Sequence, residues 1–174
     1  GEAFDKAARV LGLGFPGGPA VQLAAEDAKG TQKLPRAWIK GTYDFSFSGL
    51  KTALLHRAQE QGLYPSPPVG PYGASMVRET AAAFQESVVD VVVTKTLAAA
   101  GELKAKGILL GGGVIANTLL RRRIQETSPI PVLIPPIALC TDNAAMIASC
   151  GFYLQARGIS HGWGLDVSPG LKLG

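Results

Sequence analysis

Gly111-Gly112-Gly113-Val114-Ile115-Ala116-Asn117 has the residue types of a turn that could take a phosphorylated ligand. It follows an apolar run, Gly107 to Leu110, and precedes a helix-like run, Thr118 to Ile124. A strand, a glycine turn and a helix start bring bare backbone close to a ligand, because glycine has no Cβ and accepts positive φ. Free N–H groups at a helix start favour negative charge. Glycines also build plain tight turns, and on these residues alone both readings stand.

Other residues near such turns carry donors, acceptors or charge. Asn117 offers both a donor and an acceptor, which suits a base or sugar edge and equally suits an N-cap. Asp142 lies in Cys140-Thr141-Asp142-Asn143, after Pro135-Pro136 and at a helix start. Either Thr141 or Asp142 could cap that helix, or the Asp142 carboxylate could face a cleft and bind a metal or a cationic group. An open metal site needs about three protein ligands, and His56 and His161 form no HxxxH pair. Any metal held by Asp142 must therefore take its other ligands from elsewhere. Asp5 could accept from ribose hydroxyls, as acidic residues do in dinucleotide folds, or lie on a solvated helix face. Gly17-Gly18 permits close approach to a flat ligand or forms an ordinary turn. Arg121, Arg122 and Arg123 are consecutive and fan around their helix, so some could reach phosphate while at least one is only solvated. No GxSxG, Ser–His–Asp or Cys–His nucleophile pattern occurs.

The hydrophobic spacing predicts the elements that position these residues. Phe4, Ala7, Ala8 and Leu11 form one stripe of a helix over 2–11. Pro19 suits the first turn of a second helix, 19–28. Residues 29–42 read as a loop with a short extended piece, and the 44–48 alternation is broken by Gly49. A third helix is predicted over 50–61, followed by a proline-rich surface connection at 65–71. The longest helix spans 74–103, since flanking Ala and Glu outweigh the strand preference of its valines. A buried strand over 107–111, a helix over 114–127, a strand over 131–134 and a final helix over 141–157 complete the pattern. Ala144, Ala145, Ala148 and Gly151 would let that last helix pack closely. The glycine-rich tail holds a candidate strand at 165–167. The order predicts an α/β layer with parallel strands, rich in helix.

Composition narrows the class. The 174 residues suffice for one domain with a core. An apolar share of 47% with 17% charged residues describes a globular chain. The net charge of +4 is compatible with a polyanionic partner. Cys140 and Cys150, ten residues apart along one helix, argue against a disulfide and for a reducing, cytoplasmic setting. No signal peptide is visible at Gly1–Lys6, and no apolar run of about 18 residues predicts a membrane span. The abrupt, helical start predicts a piece of something longer.

Several stretches together resemble one family. They are Gly1–Lys6, Phe15-Pro16-Gly17-Gly18-Pro19, Asp44–Thr52, Gly112–Asn117 and Cys140–Ala148. In this order and spacing they resemble the TsaD family of tRNA N6-adenosine threonylcarbamoyltransferases, once labelled glycoproteases. The resemblance implies the incomplete second lobe of an actin-like ATPase fold. Residues 1–158 would form most of that lobe and 159–174 a C-terminal tail, with the first lobe and its HxxxH motif absent. It implies that Asp5, Gly18 and Asn117 bind the adenylate substrate. It also implies that Asp142 joins a pair of histidines from outside this chain as a ligand to iron or zinc. The implied reaction carries threonylcarbamoyl from threonylcarbamoyl-AMP to N6 of the adenosine next to the anticodon, with TsaB-like and TsaE-like partners in bacteria. Lys33, Arg36, Lys40 and Lys51 would draw in tRNA phosphates. Without the histidines the isolated chain is expected to be inactive. Two other readings exist: a non-catalytic scaffold paralogue, and a metalloprotease, for which no HExxH is present.

Overall fold

The computed structural model describes residues 1–67, 69–168 and 170. Its helices are α1 (Glu2–Val10), α2 (Gly17–Ala25), α3 (Ser48–Glu60), α4 (Pro71–Glu102), α5 (Thr118–Thr127) and α6 (Ala144–Ala156). Strands β1 (Ile108–Leu109) and β2 (Val132–Leu133) pair in parallel, with Ile108 opposite Val132 and Leu109 opposite Leu133. α5 is the crossover between them, as a parallel pair requires. Short 3₁₀ turns at Gly113–Ala116 and Ile137–Leu139 precede α5 and α6. The chain is thus a helix-rich α/β arrangement with a minimal parallel sheet.

α4 organises the packing, because it is buried on two sides. One core joins Phe4, Ala7 and Ala8 of α1 and Leu11 just after it to Val21, to Leu50 and Leu54 of α3, and to Val77, Ala81, Phe84 and Val88 of α4. Phe4 and Phe84 meet edge to face, with ring centroids 5.5 Å apart. A second core gathers Val89 and Val93 of α4 with Ile115, Leu120, Ile124 and Cys140. The valine run stays helical because Val88 faces one core while Val89 and Val93, one turn apart, face the other. Burial on both sides outweighs the modest helix cost of β-branching.

Segment 29–44 has no regular structure, yet it is laid in order along α4. The N–H groups of Lys29 and Thr31 donate to Glu79 at 2.5 and 2.8 Å. Gln32 sits beside Thr80, and the Ser87 hydroxyl reaches the Leu34 carbonyl at 3.1 Å. Arg36 Nε donates to Asp90 at 2.9 Å. Lys95 Nζ donates to the carbonyls of Ile39, Thr42 and Asp44, and the Tyr43 hydroxyl bonds Glu102. Polar side chains of one helix therefore satisfy backbone groups that a strand partner would otherwise satisfy.

Several boundaries differ from the sequence-based expectation. α2 starts at Gly17, with Pro19 inside its first turn, and α3 starts at Ser48 with Gly49 inside it. Residues 29–42 hold no strand. The strands hold only the residues given above, and Leu109 is 76% exposed, so β1 is not buried. The segment 114–127 is a 3₁₀ turn, a cap and then α5. Cys140 precedes α6 and is buried, whereas Cys150 lies on α6 and is exposed; both are free. α6 buries none of its residues, so the close packing expected of its small residues is not formed among the described residues. Leu165 to Val167 is irregular and exposed. Pro68 of the proline-rich connection, and Pro169 and 171–174 of the tail, lie outside the described residues. No helix is long and apolar enough to cross a membrane.

Two measurements check this packing. In the 174-residue chain, Phe84→Ala should cost about 3–5 kcal/mol by chemical denaturation, while Phe152→Ala on exposed α6 should cost under about 0.5 kcal/mol. Equal losses would contradict the two-sided burial of α4. The Thr31 N–H, the Thr31 hydroxyl and the Lys29 N–H, in that order, hold the Glu79 carboxyl below its ordinary value of 4.5 against opposing burial. Its contribution to stability is therefore complete above 4.5 and is lost as pH falls through the lower folded value. Glu79→Gln should flatten the decline of stability below pH 4.5, and an unchanged acid limb would remove Glu79 as a clasp.

Candidate nucleotide site

Asp5 is half-buried on α1, and its Oδ1 accepts from the Gly17 N–H at 2.8 Å. This contact anchors the start of α2 on α1. A Cβ built on Gly17 would lie 2.4 Å from Asp5 Cα and 2.5 Å from the Phe4 carbonyl, so only glycine fits. Gly18 is different, since a Cβ there meets nothing within 4 Å. Of the glycine pair, Gly17 makes the close protein contact and Gly18 faces open space. The Gly18 N–H has no acceptor among the described residues, and Pro19 has none to offer. Asp5 also lines an open cleft of about 480 Å³ with Glu2, Lys6, Arg9, Gly14 and Phe15.

A chain of short contacts links α2 to the glycine turn. Gln22 lies one turn beyond Gly18 on the same side of α2, and its Oε1 accepts from the Thr118 N–H at 2.8 Å. Thr118 is the first residue of α5, and Asn117 is its cap. Asn117 Oδ1 accepts from the Leu120 N–H at 3.0 Å, while its Nδ2 donates to Gln85 of α4 at 2.7 Å. Of the two readings of Asn117, the cap is therefore present. One amide hydrogen and one lone pair of its side chain remain for another partner.

Ahead of Asn117, the N–H groups of Gly111, Gly112, Gly113 and Val114 find no acceptor among the described residues. Gly112 has φ +93°, a conformation that favours glycine. Successive free N–H groups of this kind form a concavity that favours anions.

Arg121 ties the segment that carries Asp142 to the same place. Its guanidinium donates to the carbonyls of Ile115 and Pro135 at 3.3 and 2.7 Å and lies 3.4 Å from Cys140 Sγ. Thr141 is close behind, its methyl 3.8 Å from where a Gly113 Cβ would stand. Asp142 follows, exposed and without a hydrogen-bond partner among the described residues. The cap of α6 is neither Thr141 nor Asp142. It is Asn143, whose Oδ1 accepts from the Met146 N–H at 3.0 Å, which leaves the Asp142 carboxylate uncommitted. Among the described residues no three His, Cys, Asp or Glu side chains converge. Asp142 can supply one ligand to a metal, and the described residues do not complete a set.

The basic residues divide. Arg123 is consumed by Glu86 and Asp90, Arg36 by Asp90, and Arg121 by carbonyls. Arg122 is exposed beside Glu126, and Lys51 stands 3.5 Å from Glu2. Lys33 and Lys40 are exposed. Sequence reasoning missed Gln22 and Gln85, and it did not separate Gly17 from Gly18. The helical spacing from Gly18 was a signal for Gln22. Gln85 carried none, because its partner lies on a distant helix.

An α/β chain that feeds a glycine turn into a helix and leaves its N–H groups free has the build of a protein that holds a phosphorylated ligand. Comparison with known proteins is more particular. The family model TsaD, tRNA N6-adenosine threonylcarbamoyltransferase, matches residues 1–149. A protein of that name from Dehalococcoides mccartyi strain BAV1 is 54% identical over 173 residues, covering 99% of this chain and 50% of the relative. One from Thermomicrobium roseum is 52% identical over 186 residues, with 99% and 51% covered. One from Bacillus subtilis is 45% identical over 181 residues, with 99% and 49% covered. The chain belongs to the TsaD family, and it spans about half the length of the curated relatives it matches.

The glycine pair offers a direct check. Gly17→Ala should destabilise the chain by about 3 kcal/mol, as overpacking does, whereas Gly18→Ala should change stability by under about 0.5 kcal/mol. Thermal or chemical melts of both variants decide it, and a tolerated Gly17→Ala would show that α1 and α2 are not locked at Asp5.

Proposed function

We propose that the protein acts as a tRNA N6-adenosine threonylcarbamoyltransferase, transferring threonylcarbamoyl from threonylcarbamoyl-AMP to N6 of the adenosine beside the anticodon. The observation that carries this reading is the run of short contacts from Asp5 through Gly17 and Gln22 to Asn117, which gathers α2, the glycine turn and α5. Membership of the family supplies the substrate class.

In this reading Asp5, Gly18 and Asn117 hold the adenylate. The free N–H groups of Gly111 to Val114 suit its phosphate, and the Gly18 N–H offers one further donor. Asp5 cannot give its whole carboxylate to ribose, because Oδ1 already holds Gly17. Its Oδ2 is the atom left for a ligand. The donor is a mixed anhydride, so no protein nucleophile is required. N6 attacks the carbamoyl carbonyl carbon, the bond from that carbon to the phosphate oxygen breaks, AMP leaves with the electron pair, and N6 gives up a proton. Holding donor and amine together supplies a large part of such a rate. Asp142 would give one ligand to iron or zinc, the others coming from beyond this chain, and such an ion would polarise the carbonyl. The reading places residues 1–158 in the second lobe of an actin-like fold with 159–174 as its tail. It places the protein in the cytoplasm, with TsaB-like and TsaE-like partners. The scaffold and protease readings gain no specific observation.

The test uses the full-length protein with tRNA and threonylcarbamoyl-AMP. Asp142→Ala should lower transfer by at least about 100-fold, the upper range for disturbing a metal site, with an unchanged melting temperature. Asp5→Ala and Asn117→Ala should weaken adenylate binding by calorimetry. Normal turnover in Asp142→Ala would retire its metal role, and unchanged affinities would retire the adenylate assignments.

A further inference from the structure

Lys95 is the one lysine of α4, and it is buried: its residue is 7% exposed, and its ammonium points into a loop. Its three hydrogens meet the carbonyls of Ile39 at 3.1 Å, Thr42 at 3.0 Å and Asp44 at 2.5 Å. The ammonium also stands 5.7 Å from the centre of the Phe45 ring. The loop is curled around a cation that belongs to its own chain. A second tie lies two helical turns further on, where Tyr43 bonds Glu102. Residues 38–45 are therefore fixed along the C-terminal half of α4.

What this fixed loop carries is aromatic and basic. Trp38, Tyr43 and Phe45 are 47%, 40% and 49% exposed, and Phe45 stacks on Phe47. Lys40 is exposed on the loop, and Lys104 and Lys106 are exposed just beyond Glu102. The nearby carboxylates are Asp44, which accepts from the Thr42 hydroxyl, and Glu102, which holds Tyr43. Half-exposed rings flanked by free lysines suit a ligand with flat faces and a negative backbone, since bases stack on aromatic side chains while lysines meet phosphates.

We propose that loop 38–45, held in shape by the buried ammonium of Lys95, is a docking surface for unpaired bases of the RNA substrate. Lys95 is a positioning residue here and touches no RNA itself, because all of its donors are spent on the loop. The proposal rests on the reading that the protein modifies tRNA, and it adds the face that receives the RNA outside the adenylate site.

The experiment measures tRNA affinity, tRNA KM and adenylate affinity in the full-length protein. Trp38→Ala and Phe45→Leu should each weaken tRNA binding by about tenfold, the scale of one lost stacking contact. KM should rise accordingly, while kcat and adenylate affinity stay unchanged. Lys95→Met should reproduce the effect by releasing the loop, and Lys95→Arg should restore part of it. Should Lys95→Met fail to fold, the exposed Trp38 and Phe45 variants still decide. Unchanged tRNA affinity in both would overturn the proposal, as would variants that lose binding of a protein partner while keeping tRNA affinity. If the unaltered protein transfers threonylcarbamoyl and the variants match it, only the docking surface falls. If the unaltered protein binds no tRNA, the functional reading falls and takes this one with it.

Discussion

The hydrogen bond from Asn117 to Gln85 sets where α5 begins, and the candidate site depends on that starting point. Asn117 Oδ1 closes the first turn of α5 through Leu120, while one of its amide hydrogens is held by Gln85 of α4, the helix that serves both cores. Both side chains are nearly buried. A buried amide pair of this kind is costly to break, since each partner would be left unsatisfied at about 1–3 kcal/mol. The head of α5 is thus pinned to α4, and the glycine turn just ahead of it is pinned as well. Gln22 adds the third side by reaching the Thr118 N–H from α2. Packing alone would leave a short helix of this kind free to slide by part of a turn, whereas these directional bonds fix its register.

α4 applies the same logic along its length. Its apolar positions serve two cores, and its polar positions hold segment 29–44 in order from Glu79 to Glu102. The segment needs no strand partner, because carboxylate, hydroxyl and ammonium groups on the helix take its N–H and carbonyl groups. Such an arrangement keeps backbone groups satisfied beside the core and leaves the side chains of the segment free for the surface. The ion pairs of Arg36 and Arg123 with Asp90 join this segment to α5 through α4.

The helices were legible because their apolar spacing is set by the cores they bury. The stripe of Phe4, Ala7 and Ala8 on α1, continued by Leu11 at its cap, is the clearest case, and all of it is buried. The glycine turn and the cap at Asn117 were legible from residue type. What stayed hidden depended on distant partners. Gly17 and Gly18 are alike in sequence, and only the approach of α1 separates them. The polar side chains of α4 carry no local signal of the partners they take from segment 29–44. α6 shows the converse: Met146, Ile147, Phe152 and Tyr153 are core residue types, yet they are exposed among the described residues. Asp142 was read as a cap candidate because local spacing cannot choose between neighbouring polar residues. Asn143 wins that role, and the carboxylate is released from it.

That release has an electrostatic consequence at the head of α5. The turn at Gly111 to Val114 presents free N–H groups, and Arg121 adds a guanidinium close behind them, so the place favours an anion. Asp142 follows Thr141, whose methyl lies beside this turn, and a carboxylate brought near the turn would oppose an anion arriving there. Two like charges about 4 Å apart repel by roughly 1 kcal/mol in water and by more where water is excluded. A site that took only a phosphate would be better served by a neutral residue at this position. A carboxylate left uncommitted beside an anion-favouring turn makes physical sense when a cation is to stand between the two, where each negative group then strengthens the hold on it. The free N–H groups attract carboxylate and phosphate alike, so a phosphate held there would meet repulsion from a nearby Asp142 carboxylate unless a cation stood between the two.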